Sequence, residues 1–178
     1  DSNTIELIKN NSKANILILE KGRDIEKREC PSQVSDAKCK LCKACSVVCG
    51  WGGAGAFSDG KITLSTEIGG SLEEYIGEEA LLNLINYVDQ TYVDFGAPEN
   101  LYGLENEEEV DQFKLRASHS ELKLVPVVIR HLGTGRCKEV LKRMYDYIKS
   151  SGVDVRTKTP VGSIKVKNNR VQGVVLES

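Results

Sequence analysis

The sequence predicts a mixed α/β fold with parallel strands, a helical insertion and a C-terminal β-hairpin. Three observations carry this. A short apolar run, Asn15 to Glu20 (NILILE), has the length of a strand, and its lack of alternation suits one buried on both faces of a parallel sheet. Residues 78–95 place Leu81, Ile85, Val88, Tyr92 and Phe95 at steps of three and four, the period of an amphipathic helix. Near the C-terminus, apolar residues of two short stretches flank Asn168-Asn169, a pair that tolerates positive φ and suits a tight hairpin.

Taken in order, Ile5 to Asn11 reads as the end of a helix, with Ile5 and Ile8 on one face and Asn10, Asn11 and Ser12 breaking it. The strand Asn15–Glu20 follows. Residues 21–61 show little periodicity, with cysteines first and glycines after, and a stretch of that length inside a domain is normally functional. The helical segment spans 72–150. Gly96 and Pro98 stop its first long helix. Asn106 is expected to cap the next, with Glu107, Glu108 and Glu109 complementing its dipole, and that helix is expected to reach about Lys123. Thr134 is expected to cap a third, with Val140, Leu141, Met144, Tyr147 and Ile148 inward and Gly152 closing it. Val153, Val155 and Thr157 then alternate with polar residues, and strands over about Val161–Val166 and Val171–Leu176 form the hairpin.

Composition narrows the function. The 178 residues carry 24 Lys and Arg against 26 Asp and Glu, a balance that argues against nucleic-acid binding by charge. The apolar runs are too short to span a bilayer, and the first residues show no basic stretch followed by an apolar one. A cytoplasmic protein is the expectation, without membrane or nucleic-acid partners. Six cysteines are an even number, but five lie between Cys30 and Cys49 and only Cys137 is remote. A secreted disulfide framework is spread more widely, so the clustering points to a metal or redox site.

Three segments carry candidate chemistry. In a dinucleotide-binding βαβ unit the second strand ends in an acid that binds a ribose hydroxyl, and Glu20 stands at such a place. A buried strand with an acid at its exposed end is the alternative. The second segment is Gly50-Trp51-Gly52-Gly53-Ala54-Gly55-Ala56-Phe57-Ser58-Asp59-Gly60-Lys61, in which five of the 16 glycines fall within eleven residues. Small residues let backbone N–H groups approach an anion, Ser58 can donate a hydrogen bond and Lys61 supplies charge. The segment is not a P-loop, because Lys61 is followed by Ile62.

The third is Cys39-x2-Cys42-x2-Cys45-x3-Cys49, the spacing of a ferredoxin-type [4Fe–4S] run, with Gly50 where a proline usually follows and Pro31 instead after Cys30. Cys30, Cys39, Cys42 and Cys45 equally suit zinc. Lys38, Lys40 and Lys43 interleave them and favour thiolates. Free thiols on a basic loop are the alternative. Arg130 and His131 sit at an element junction before Gly133, where a cation and an imidazole can orient a substrate carboxylate and move a proton. A structural Arg and a hydrogen-bonded His are the other reading. His119 reads as surface.

ILILEKGRDIEKR (16–28), the cysteine stretch, GWGGAGAFSDGK (50–61) and RHLGT (130–134) occur in the same order in a family of bacterial FAD-dependent (NAD/FAD-utilizing) dehydrogenases, which the whole chain resembles. That family is similar to flavoproteins with a glutathione-reductase-like FAD domain. The resemblance implies a flavin-dependent oxidoreductase with a Rossmann-like FAD/NAD(P)-binding fold, of which residues 1–178 are part. FAD carries a hydride or electrons to or from a small-molecule substrate, NAD(P)H is a candidate electron donor, and a homo-oligomer is a candidate assembly. Glu20 would hold the adenosine ribose, with Lys21 or Arg28 nearby. Gly52, Gly53, Ala54, Gly55 and Ser58 would line the pyrophosphate and flavin, with Asp59, Gly60 and Lys61 completing that segment, and the backbone of Val161 would meet the adenine. The family's first Gly-x-Gly-x-x-Gly turn is not among these residues, so the 178 residues alone are expected to bind FAD weakly. The rival functions are an iron–sulfur electron carrier and a zinc-stabilised interaction domain, both built on Cys30 to Cys49.

Overall fold

The computed structural model describes residues 2–10, 13–133 and 135–177. Its elements in chain order are α1 (Ser2–Lys9), β1 (Leu17–Leu19), α2 (Pro31–Val34), β2 (Lys61–Thr63), α3 (Glu73–Ile76), α4 (Glu78–Asp94), β3 (Leu101–Tyr102), α5 (Glu107–Ser118), β4 (Ile129–His131), α6 (Arg136–Ser150), β5 (Asp154–Arg156), β6 (Val161–Lys167) and β7 (Arg170–Leu176). Short 3-10 turns lie at Ile25–Lys27 and Gly53–Phe57. The chain divides into two compact units, Asp1–Ser58 with Cys137–Ser178, and Asp59–Arg136.

The first unit is mixed α/β. β1 and β5 pair in parallel, Leu17 opposite Asp154 and Leu19 opposite Arg156, and Glu20 N–H extends the ladder to the Arg156 carbonyl at 2.9 Å. The strand Asn15–Glu20 is therefore present but shorter. It is also less buried than its composition predicts: Leu17 is 48% exposed, and β1 belongs to a two-stranded sheet. α6 supplies the buried face of this unit through Cys137, Val140, Leu141, Met144, Tyr145 and Ile148. The inward aromatic is Tyr145, with Tyr147 only half-buried, a correction to the periodicity reading. Tyr145 is in helical phase with Leu141 and Ile148, whereas Tyr147, two residues on, points to about the opposite side of the helix; the Tyr145 ring meets Trp51 edge-to-face at 4.8 Å. Thr134, the expected cap of this helix, lies outside the described residues, as do Asn11 and Ser12. Gly152 closes α6 at φ +85°.

β6 and β7 form the expected hairpin, with Lys167 opposite Arg170. Asn168 and Asn169 take φ of 51° and 58°, the two left-handed residues of a type I′ turn.

The second unit holds a three-stranded antiparallel sheet, ordered β2-β4-β3, that hydrophobic patterning did not reveal. Its strands are two or three residues long, too short to show a period. α4 ends one residue short of the expected span. α5 ends at Ser118 instead of near Lys123, where Glu121 turns left-handed at φ +57°. Asn106 stands at the head of α5 in the left-handed region (φ 60°) and makes no capping hydrogen bond to the backbone, so the expected cap is absent. Its amide instead donates to Glu109 Oε2 at 3.4 Å. Among the described residues, no helix is long and apolar enough to cross a membrane.

Candidate functional site

In the first unit the chain leaves β1 at Glu20 and turns immediately. Glu20 Oε1 accepts from Gly22 N–H at 2.6 Å and from Gly50 N–H at 3.0 Å. One carboxylate oxygen thereby joins the end of the strand to the start of the glycine loop, 30 residues later. Oε2 accepts from no described residue. The two segments lie backbone to backbone: Trp51 N–H donates to the Arg23 carbonyl at 3.0 Å, and a Cβ on Gly22 would overlap the Cys49–Gly50 peptide. That close approach is what requires glycine at 22.

Arg28 is buried and organises the loop from beneath. Its Nε donates to the Ser46 carbonyl at 2.9 Å, Nη2 to Val47 at 2.9 Å, and Nη1 to Trp51 at 2.6 Å and Gly53 at 2.7 Å. The guanidinium carbon also lies 4.9 Å from the centre of the Phe57 ring. Burial lowers its pKa, opposed by the nearby Glu20 carboxylate and the Cys49 and Cys45 thiols. Sequence reasoning placed Arg28 near a ribose. The structure instead commits it to four backbone carbonyls, because a fixed fork of donors at the base of a loop can satisfy several at once.

Trp51 is the loop's anchor. It is 2% exposed, and its indole N–H donates to the Leu141 carbonyl at 3.0 Å. Gly52 follows at φ +82°, with Leu141 Cδ1 only 2.6 Å from where a Cβ would stand. Gly53 and Gly55 differ: a Cβ on either meets nothing within 4 Å. Gly50 and Gly52 are thus packing glycines, whereas open space lies where a side chain would stand on Gly53 or Gly55. Ala54 and Ser58 are exposed. Ser58 Oγ donates to the Gly55 carbonyl at 3.1 Å. Lys21 is exposed, and Val161 pairs with Leu176 at the head of the hairpin, 40% exposed.

Asp59, Gly60 and Lys61 belong to the second unit with Arg130 and His131. Asp59 and Lys61 form a surface ion pair at 2.8 Å, and the hydrogen bond from Lys61 is the main cause holding the Asp59 pKa below its ordinary value. The Gly60 carbonyl accepts from Leu132 N–H at 2.8 Å, and the Asp59 carbonyl from Gly133 N–H at 2.9 Å. Arg130 is buried, and each of its three guanidinium nitrogens donates a hydrogen bond. Nε and Nη2 grip Asp89 at 2.5 and 2.7 Å, and Nη1 donates to the Pro98 carbonyl at 2.6 Å. Asp89 thus supplies Arg130 with a carboxylate from within the fold, the arrangement of a structural arginine. Its adjacent His131 has a buried Nε2 with no hydrogen-bond partner among the described residues, and its ring lies edge-on to Tyr102 at 6.3 Å. His119 is exposed, as expected.

The cysteines of the loop are free thiols. Cys39 and Cys42 are exposed, Cys30, Cys45 and Cys49 half-buried. Among the described residues, no three His, Cys, Asp or Glu side chains are gathered closely enough to hold a metal ion.

Ser46, Val47, Trp51 and Asp89 were not singled out as partners, and only the indole of Trp51 offered a signal. The others act through backbone carbonyls or across 41 residues, which no local pattern records.

No family model matches the chain, and no curated protein matches its sequence. Among solved structures it is similar to an L-amino acid deaminase from Proteus myxofaciens in complex with anthranilate, at a TM-score of 0.42 and 15% identity. It is also similar to the L-amino acid deaminase from Proteus vulgaris, at 0.41 and 14%. The comparisons cover 98% of this chain but 39% and 40% of those proteins, so the chain spans about two-fifths of their length.

Proposed function

We propose that this chain is part of a flavin-dependent oxidoreductase, an FAD-dependent dehydrogenase of the family it resembles. The observation that carries the reading is Glu20. It closes a parallel strand, holds the glycine loop with Oε1 and, among the described residues, meets no donor with Oε2. A carboxylate oxygen at the end of such a strand is the chemistry that accepts a ribose hydroxyl. The space left beside Gly53 and Gly55, where a side chain would meet nothing within 4 Å, suits the close approach of a pyrophosphate. The residues present therefore fit the adenosine diphosphate half of FAD. Bound FAD supplies the hydride or electron transfer. The protein's share is position: Glu20 holds the ribose, Gly53 and Gly55 admit the phosphates, and Arg28 keeps their loop in shape from below. Considered by itself, the second unit offers His131, whose Nε2 is buried with no hydrogen-bond partner among the described residues, as a candidate to move a proton.

The test is flavin binding by the enzyme that carries this chain, followed through flavin fluorescence. Glu20→Ala is expected to weaken FAD binding by about 1–3 kcal/mol, the scale of a charge-assisted hydrogen bond. Unchanged affinity would overturn the ribose assignment, and a protein that takes up no flavin would overturn the function.

A further inference from the structure

Two of the six cysteines bound a single closed turn. The Cys49 N–H donates to the Cys45 carbonyl at 2.7 Å, and the Val48 N–H donates to the same oxygen at 3.1 Å. None of residues 45–49 takes a positive φ. This is one turn of helix, in which the first and fifth residues share a face with Cα atoms about 6 Å apart. A disulfide spans Cα separations of about 4.4–6.8 Å. Cβ atoms at this helical spacing stand about 5–6 Å apart, against about 3.5–4.5 Å in a disulfide, so bridging the pair tightens the turn. Both thiols are free and half-buried, and both interact electrostatically with the Arg28 guanidinium. The other cysteines are placed differently. No backbone hydrogen bond among the described residues closes the chain between Cys39 and Cys42, and Leu41 between them is left-handed at φ +48°. Cys30 heads α2, and Cys137 is buried on α6.

The turn is tied to the glycine loop through Arg28. Nε and Nη2 take the Ser46 and Val47 carbonyls inside the turn, while Nη1 takes the Trp51 and Gly53 carbonyls of the loop. At its far end the Cys49–Gly50 peptide lies against Gly22, and the Gly50 N–H meets Glu20. A rigid guanidinium cannot follow two of its acceptors without changing its hold on the other two. We propose that Cys45 and Cys49 form a reversible disulfide, and that closing it draws the Ser46 and Val47 carbonyls away from Arg28 and resets the glycine loop. The step is thiol–disulfide exchange with a low-molecular-weight disulfide. The thiolate of one cysteine attacks a sulfur of that oxidant, breaks its S–S bond and expels one thiolate. The thiolate of the other cysteine attacks the mixed disulfide, forms the Cys45–Cys49 bond and expels the second. Two electrons pass to the oxidant, which leaves as two thiols carrying the two protons that the cysteines gave up. The device does not require the loop to hold FAD, because it is read from the thiols and from Trp51.

The experiment equilibrates the full chain with mixtures of reduced and oxidised glutathione, alkylates the remaining thiols and digests with trypsin. Cleavage after Lys43 and Lys61 releases residues 44–61, which hold Cys45 and Cys49 and no other cysteine. From the oxidised chain this peptide is expected unalkylated and two hydrogens lighter than its dithiol form, and from the reduced chain it is expected alkylated twice. Trp51 is the single tryptophan of the chain, so its fluorescence reports on the glycine loop. That emission is expected to shift with the same midpoint potential and to return on adding dithiothreitol. Cys45→Ser and Cys49→Ser are each expected to abolish both changes, and Cys39→Ser and Cys42→Ser to leave both in place. Double alkylation of the peptide even in oxidised glutathione alone, a stable glutathione adduct, or a bridge from Cys45 or Cys49 to another cysteine would overturn the proposal. So would a Cys45–Cys49 disulfide that leaves the Trp51 emission unmoved.

Discussion

Asp89 and Arg130 form a buried, bidentate ion pair that joins α4 to β4 across 41 residues of sequence. Its energetics follow from burial. Each charge has left water, and the pair is tolerable only because both carboxylate oxygens are met and the remaining guanidinium edge finds the Pro98 carbonyl.

Removing one partner is expected to be worse than removing both. Asp89→Ala leaves a buried, uncompensated guanidinium and is expected to cost about 3–5 kcal/mol in urea unfolding. Asp89→Leu combined with Arg130→Met is expected to recover most of that loss. A double variant no more stable than Asp89→Ala would refute this account of the pair.

Arg28→Lys keeps the charge and loses the fork. An ammonium cannot span the carbonyls of Ser46, Val47, Trp51 and Gly53, so at least one buried acceptor is stranded at a cost of about 2 kcal/mol or more. Thermal unfolding is expected to fall by about 4–8 °C for a chain of this size. An unchanged midpoint would show that the loop does not depend on the fork.

Tyr145 gives a pH signature. Burial and the hydrogen bond from its hydroxyl to Asp24 Oδ2 at 2.8 Å push its pKa from 10.0 up to about 12. In the unfolded chain the phenol ionises near its ordinary value, while the folded chain holds the proton. Its stabilising contribution is therefore complete below pH 10.0 and disappears as pH rises toward about 12. Tyr145→Phe is expected to lose about 1 kcal/mol at neutral pH and to show a flatter decline over that alkaline window. Parallel curves for the two proteins would contradict the assignment.

The glycines of the loop are expected to divide. Gly52→Ala forces a Cβ at φ +82° against Leu141 and is expected to destabilise by about 1–3 kcal/mol. Gly55→Val meets open space, so the fold is expected to survive while flavin loading is lost. Circular dichroism and bound flavin absorbance separate the two effects, and a fully yellow Gly55→Val protein would remove the loop from the cofactor site.

Local pattern was enough where one element decides its own form. The period of residues 78–95 gave α4, and the Asn168-Asn169 pair gave the hairpin, because a type I′ turn needs two residues that tolerate positive φ. The strand ending in Glu20 and the density of glycine after Cys49 were equally legible, since both are features of consecutive residues. What those residues do was decided in three dimensions. Arg28 and Arg130 read alike as cations available to a ligand, yet one is held by four carbonyls and the other by Asp89. Glycines that look interchangeable in a string split into those against which Leu141 or a neighbouring peptide packs and those with nothing beside them. The period of α6 puts Tyr145 inward with Leu141 and Ile148, but that its ring meets Trp51, 94 residues earlier, is a tertiary fact. Periodicity reports forces between residues three or four apart. The partner that satisfies a buried charge or fills the space over a glycine comes from chain closure, which carries no local mark.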